Sequence, residues 1–287
     1  VNYTFKQVDI VIPRVDGSAN CGNISSAVGP FAIDEGLVKA VEPITVVRVL
    51  NTNTNKIIEE HVRVEDGHAM VHGDEVIQGV PGTGSRIDMY FEDPAGSKTG
   101  KLFPTGQKKE VFDVPEYGPA EVTVLDCSNP MVFIKASDLG IKGSELTELN
   151  QNKDVMEHIE RIRGMAAVKC GFVENWEDAR TKSTSAPKVS IVSALQDYIN
   201  MDGNEVKADT MDLCCRAISV GALHKAYPMT VAVGTGAAAR ISGTIVNEIV
   251  KPAPDQDIIR LGHASGVTEV DVKMDGEKVS KGGVTRT

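Results

Sequence analysis

The 287-residue sequence has no apolar run approaching the roughly 18 residues that a membrane-spanning helix requires, so a membrane partner is not expected. Cysteines are few. There are five, an odd number, with no C-x-x-C pair. That pattern argues against a disulfide framework and against a zinc site, and it fits a reducing compartment such as the cytoplasm. Positive charge is also short. A formal net charge of −10 argues against nucleic acid as a partner. It also means that an anionic ligand must be met by a local positive site, because the field of the whole protein will not draw it in.

What is present is 41% hydrophobic residues in a chain long enough for one large or two ordinary globular domains. Residues 3–12 alternate and are β-branched, which predicts a strand. Small and apolar residues recur at helical spacing from Asn23 to about Val41, predicting a buried helix that ends near Pro43. Strands are expected at 44–50, 57–64, 86–91, 121–125, 131–136, 188–195, 230–233, 258–261 and 268–274. Helices are expected at 152–169, 205–221 and 236–250, with Cys214 and Cys215 as core residues of the second. Strands mixed with helices but without regular βαβ alternation point to an α+β or mixed α/β fold. Both termini look cut. The first residue is Val1, and the last stretch, Lys281 to Thr287, stops without a recognisable element.

The stretch NCGNISSAV, Asn20 to Val28, places a thiol at the mouth of a small-residue run. An internal repeat gives it a context. With the chain laid on itself 212 positions out of step, Cys21 falls over Val233 and Arg48 falls over Arg260. At an offset of 209, Asp66-Gly67 falls over Asp275-Gly276, each after a V-x-V strand. Two copies of one unit are expected, each with a glycine turn opening a central helix. Exposed N–H groups at a helix start favour an anion. Two facing turns would hold a molecule with two carboxylates. A cysteine on one turn would be favoured as thiolate and could pass protons to and from carbon. A buried, inert cysteine is the alternative reading.

The repeat resembles the diaminopimelate epimerase fold, in which two pseudo-repeated domains each wrap a sheet around a central helix. The stretch from His224 to Ala237, HKAYPMTVAVGTGA, shares Thr, Ala and Gly-Thr-Gly-Ala with that family's second-half motif. A closer similarity is to the PrpF family, carried by NCGN at Asn20, AVGPFAI at Ala27, DPAGS at Asp93, TGKL at Thr99, PTG at Pro104, Asn129-Pro130 and HKAYP at His224. That family covers methylaconitate cis–trans isomerase, methylitaconate Δ-isomerase and oxalomesaconate tautomerase. The resemblance therefore implies a cofactor-independent isomerase of small unsaturated di- or tricarboxylic acids. Such an acid is the expected partner, and self-assembly into a homo-oligomer is left open. It puts the acid/base cysteine at Cys21 and the first anion-binding turn at Asn20, Gly22 and Asn23. The second turn falls at Thr230, Gly234, Thr235 and Gly236, beside His224 and Lys225, where Lys225 takes the place of a carboxylate-binding arginine. Domains are expected at 1–117 and 118–287, with the last strands free to return to the first. The family's second acid/base group is a lysine expected upstream of Val1, so this stretch of chain is expected to bind anions and to turn over poorly.

Where an epimerase keeps a second cysteine, this chain has Val233. Symmetric inversion at one carbon wants two matched thiols, so a racemase-like reaction is disfavoured. One thiol suits moving a proton between two carbons, through a dienolate stabilised by N–H groups. A non-catalytic relative that binds such acids or assists a partner enzyme is the other reading. GSKTGKL, Gly96 to Leu102, is one residue short of a phosphate-binding loop and ends in Leu102, so it reads as a loop with close backbone contacts. His68 and His72 read as hairpin residues, His158 as solvated, and Asp126 and Asp138 have no recognisable carboxylate partner.

Overall fold

A computed structural model describes residues 1–8, 13, 15–17 and 20–287. The main sheet strands, in chain order, are β1 (Asn2–Tyr3), β2 (Ile44–Asn51), β3 (Lys56–Glu65), β4 (Ile87–Glu92), β5 (Glu110–Val114), β6 (Gly118–Cys127), β7 (Asn129–Lys135), β8 (Lys188–Ser193), β9 (Leu213–Ser219), β10 (Ile258–His263), β11 (Gly266–Asp275) and β12 (Lys278–Arg286). Helices are α1 (Gly22–Ser25), α2 (Val28–Asp34), α3 (Lys153–Lys169), α4 (Met229–Arg240) and α5 (Ile245–Val250). The sheet runs β1-β2-β3-β4-β12-β11-β10-β9-β8-β7-β6-β5, with parallel pairing only at β1/β2, β7/β8 and β9/β10 along this path. Two of its pairings cross the expected boundary at 117/118: β5 with β6, and β12 with β4.

The repeat is visible in the pairing. Arg48 on β2 stands opposite Glu59 on β3, and Arg260 on β10 stands opposite Glu269 on β11. Each hairpin ends in an Asp-Gly turn, Asp66-Gly67 or Asp275-Gly276, with positive φ at both glycines. In the second half the sheet curls around α4, which touches β6, β7, β8, β10, β11 and β12. Every residue of α4 from Met229 to Ala239 is buried, as expected of a helix that is apolar and small all round. In the first half α2 lies on β2 and β3. A separate core forms where α3 covers β5 to β8. Asn152 caps α3 by accepting from the Val155 N–H, which matches the helix expected at 152–169.

Four expectations need correction. The predicted helix at 205–221 is instead a short strand Glu205–Val206, a single 3₁₀ turn at Ala208–Thr210, and β9. Leu213 to Ile218 are buried without a break between β8 and β10, and a segment buried on both faces carries no period by which to tell strand from helix. Cys214 and Cys215 are core residues, but of a strand. The predicted strand at 230–233 and helix start at 236 are one helix, α4, opening after Pro228. Burial on all sides overrides the β preference of Thr230, Val231 and Val233. That helix stops at Arg240, Gly243 takes φ +88, and Thr244 caps a new helix by accepting from the Asn247 N–H. The helix predicted from Asn23 to Val41 is two pieces ending at Asp34, with Gly36 at φ +66 beyond it. Finally, the Lys281 to Thr287 stretch does contain an element: through Arg286 it is the end of β12, between β11 and β4. Of the strand predicted at 3–12, residues 9–12 lie outside the described residues; Gln7–Val8 pairs with Val15–Asp16.

Candidate active site

The structure brings the starts of α1 and α4 together. Cys21 is the N-cap residue of α1, half-buried, with extended backbone (φ −115, ψ 106). Its carbonyl accepts from both the N–H and the hydroxyl of Ser25. Asn20, buried behind it, accepts through its side-chain oxygen from the Asn51 amide at 2.7 Å. Asn51 in turn accepts from the N–H groups of Asn53 and Thr54. Asn20 is thereby a brace between the thiol segment and the β2–β3 turn. Gly22 packs against Met229, the first residue of α4.

Beside this junction lies a cleft of about 260 Å³. Its polar lining includes Asn23, His224, His263 and Arg286. Asn23 accepts from the Arg286 guanidinium (Nε to Oδ1, 3.3 Å). Burial pushes Arg286 down to about 10, and among the described residues it has no acidic partner. A guanidinium so placed is suited to a carboxylate. His224 accepts an N–H from Ala226 at Nδ1 (3.2 Å), which leaves the ring proton on Nε2 in the neutral form. Burial keeps it neutral, and nearby Lys188 adds to that effect. His263 is pushed down to about 3 by burial, with the Arg216 and Arg286 charges acting the same way. Its Nε2 pairs with the Thr268 hydroxyl at 2.8 Å while Nδ1 accepts from the Ser265 N–H. The cleft therefore offers the Nε2–H of His224 beside the Arg286 guanidinium, which has no acidic partner among the described residues.

Other expected site residues lie elsewhere. Gly234, Thr235 and Gly236 do not form a helix-start turn. They sit inside α4, fully buried, and Gly234 and Gly236 have closed contacts with Met131 and with Val270 and Val272. Glycine here serves packing, not anion binding. Thr235 donates to the Val231 carbonyl and joins the Tyr227 hydroxyl at 2.7 Å; Tyr227 also bonds Ser190 at 2.6 Å. This buried chain stiffens the cleft wall that Tyr227 supplies. Thr230 is buried in the first turn of α4, where its carbonyl accepts from the Ser128 hydroxyl. Lys225 is exposed and is not part of the cleft lining, whose cation is Arg286. The sequence reading does not single out Arg286 or His263. Arg286 gave one usable signal: K-V-S-K-G-G-V-T-R alternates weakly as a strand.

Two further features bear on the sequence reading. Asp126 is fully buried and accepts from the Ser97 hydroxyl, the Lys98 and Thr99 N–H groups and the Thr99 hydroxyl, at 2.6–2.9 Å. The GSKTGKL loop thus closes around an internal carboxylate, with Gly96 in contact with the Gly100 backbone. His158 is buried and stacks on Tyr117, so it is not solvated. Among the described residues no helix is long and apolar enough to cross a membrane, and no His/Cys/Asp/Glu cluster could hold a metal ion.

A family model described as "PrpF protein" matches residues 1–287. The chain is 43% identical to 3-methylitaconate isomerase of Eubacterium barkeri, over 100% of this chain and 76% of that protein. It is 36% identical to 2-methyl-aconitate isomerase of Shewanella oneidensis, over 94% of this chain and 70% of that one. The crystal structure of a methylitaconate-delta-isomerase superposes with a TM-score of 0.90 at 43% identity, covering 100% of this chain and 74% of that one. The architecture is the diaminopimelate epimerase-like fold.

Proposed function

The chain belongs to the PrpF family and is an isomerase of small unsaturated carboxylic acids, and from that premise we propose that Cys21 is its proton-transfer thiol and Arg286 its carboxylate anchor. The observation that carries this reading is Arg286. It is a half-buried guanidinium in the cleft lining, joined to Asn23, two residues from Cys21, with no carboxylate partner among the described residues. A half-buried guanidinium without a counter-ion is a ready partner for a carboxylate, which its planar fork of donors fits.

In this reading Arg286 holds one substrate carboxylate. Cys21, as thiolate, removes a proton from the carbon next to the double bond. The electron pair left behind spreads through the double bond into the carboxylate as a dienolate. The Nε2–H of His224 stabilises the charge that develops on oxygen. Return of the proton from the Cys21 thiol to the far carbon completes the shift of the double bond. Atoms balance, and the reading uses no cofactor. A second, matched thiol has no part in it; Val233 is buried against Gly282 on β12. Five free cysteines support a reducing, cytoplasmic setting.

The test is binding and exchange with 3-methylitaconate and an aconitate-like tricarboxylate. Arg286→Ala should weaken calorimetric binding about 10–100-fold, the range for losing a charge-assisted hydrogen bond. Cys21→Ser should bind normally and lose deuterium incorporation from D₂O by about 10²-fold or more. Undiminished exchange in the serine variant would remove Cys21 from the reaction, and unweakened binding by Arg286→Ala would remove the anchor.

A further inference from the structure

Four hydroxyl residues line the cleft: Ser26, Tyr227, Thr268 and Thr287. Two of them spend their protons inside the protein. Ser26 donates to the Asn23 carbonyl at 2.7 Å. Thr235 gives its own proton to the Val231 carbonyl, so the Tyr227 hydroxyl donates to Thr235. Thr287 is exposed. Thr268 differs because of the β10–β11 hairpin. His263 stands opposite Gly266, and Leu261 opposite Thr268. His263 and Leu261 are two apart on one strand and share a face, so His263 and Thr268 are diagonal neighbours on it. The Tyr198 hydroxyl ties the hairpin end by bonding the His263 and Gly266 carbonyls at 2.7 and 2.9 Å. A backbone N–H only donates, so Nδ1 of the buried His263 ring, which takes the Ser265 N–H at 3.2 Å, carries no proton. The ring proton therefore sits on Nε2 and is donated to the Thr268 hydroxyl oxygen at 2.8 Å. Thr268 cannot return its own proton to that nitrogen, and its hydroxyl has no acceptor among the described residues. That proton is left for the cleft.

We propose that Thr268, oriented by the His263 Nε2–H, is a substrate-binding donor that meets the second carboxylate of a dicarboxylic acid, the one Arg286 does not hold. The proposal rests on Arg286 being the anchor of the first. Both residues line one cleft, from the neighbouring strands β11 and β12. Among the described residues no Asp or Glu lines it, and its oriented groups are all donors: the Arg286 guanidinium, the His224 Nε2–H and the Thr268 O–H. A ligand that matches them presents acceptors at more than one end, as a dicarboxylate does. An acid with an apolar group in place of the second carboxylate would leave the Thr268 proton unpaired. A site built to hydrogen-bond a group discriminates against ligands that lack it. Burial, with the Arg216 and Arg286 charges, keeps a second proton off the His263 ring, so Nδ1 stays an acceptor and Nε2–H a donor. His263 acts through Thr268 and is a positioning residue. No proton changes hands here; the Thr268 proton stays on its oxygen.

The experiment measures calorimetric binding of 3-methylitaconate and of tiglate, a branched unsaturated monocarboxylate. The proteins are the unmodified chain, Thr268→Val, Thr268→Ser and Arg286→Ala. Thr268→Val keeps the shape and removes the hydroxyl. It should weaken 3-methylitaconate about tenfold, the loss expected for one hydrogen bond to a charged group. Thr268→Ser, which restores the hydroxyl, should stay within about twofold of the unmodified protein. Tiglate should bind Thr268→Val and the unmodified protein alike. Unweakened 3-methylitaconate binding by Thr268→Val, with Arg286→Ala weakened, overturns this proposal and leaves the Arg286 anchor standing. Thr268→Ser as weak as Thr268→Val marks a packing role and overturns it too. A tenfold loss on tiglate overturns the assignment to the second carboxylate. An unmodified protein that does not bind 3-methylitaconate, or an Arg286→Ala variant that binds it unweakened, overturns the reading of the cleft itself. If Thr268→Val does not fold, nitrogen-15 NMR of the histidine-labelled unmodified protein decides. His263 should be the Nε2–H tautomer, and saturating 3-methylitaconate should shift its Nε2 resonance. The Nδ1–H tautomer, or an Nε2 resonance that the acid leaves unmoved, overturns the proposal.

Discussion

Gly22 and Met229 bring two helix starts into contact: a Cβ on Gly22 would lie 2.9 Å from both the Cβ and the sulfur of Met229. Real Cβ atoms do not approach that closely, and the Met229 Cβ is fixed to the α4 backbone. Gly22→Ala should therefore push α1 away from α4 and carry Cys21 with it. Overpacking of this kind costs about 1–3 kcal/mol. Urea unfolding should show that loss, and Cys21 alkylation should change rate in the same variant. A variant as stable as the parent, with unchanged thiol reactivity, would mean that the two helix starts are not held in register by this contact.

The thiols should separate sharply in reactivity. Cys127, Cys214 and Cys215 are buried and Cys170 half-buried. Burial pushes all four thiols up, Cys170 to about 12 and Cys127 and Cys215 further. At pH 8 limiting iodoacetamide should label Cys21 first, and saturating dicarboxylate should protect it. Peptide mapping reads both. Uniform labelling of the folded protein, or labelling indifferent to the ligand, would contradict the proposed role of Cys21 beside the cleft.

Much of this site was legible because it is local. The Asn-Cys-Gly-Asn stretch pointed to Cys21 and Asn23, and the 212-residue offset paired Arg48 with Arg260 on equivalent strands. The offset failed at the second helix. Gly22 plus 212 is position 234, yet α4 starts at Met229. The glycines that looked like a turn are there because Met131, Val270 and Val272 leave no room for a Cβ, and close packing leaves the same letters in a sequence as a tight turn. Arg286 and Lys188 were illegible for another reason. Arg286 reaches the cleft, and Lys188 its place at the start of β8, through strand pairing with partners far away in sequence, and nothing near them in the chain records that.

Asp126 tests the origin of the glycine-rich loop. Its carboxylate takes the four hydrogen bonds that a phosphate would draw from a phosphate-binding loop, two of them from the Lys98 and Thr99 N–H groups. Asp126→Ala should cost at least about 3 kcal/mol in urea unfolding, because it leaves buried donors unpaired. Asp126→Asn, which keeps the shape but loses charge, should cost less. Hydrogen exchange at the Lys98 and Thr99 amides should speed up in both. Unchanged exchange there would show that the loop holds itself without the carboxylate.

Glu60 makes stability depend on pH in an unusual direction. Its side chain on β3 is fully buried, with one oxygen accepting from the Gly29 N–H at 2.8 Å and the other without a partner among the described residues. Burial pushes the carboxyl up to about 8 from 4.5, against the smaller opposing effect of that hydrogen bond. A carboxyl raised in the folded state binds its proton more tightly there than in the unfolded chain. Its contribution is therefore complete below about pH 4.5 and is lost as pH rises toward 8. The full span corresponds to about 5 kcal/mol. Glu60→Gln keeps an oxygen for Gly29 and removes the titration. It should melt close to the parent near pH 5 and clearly above it at pH 9, and scanning calorimetry at the two pH values gives the comparison. Parallel loss of stability in both proteins between pH 5 and 9 would mean that Glu60 ionises in the folded state without penalty, with water reaching its unpaired oxygen.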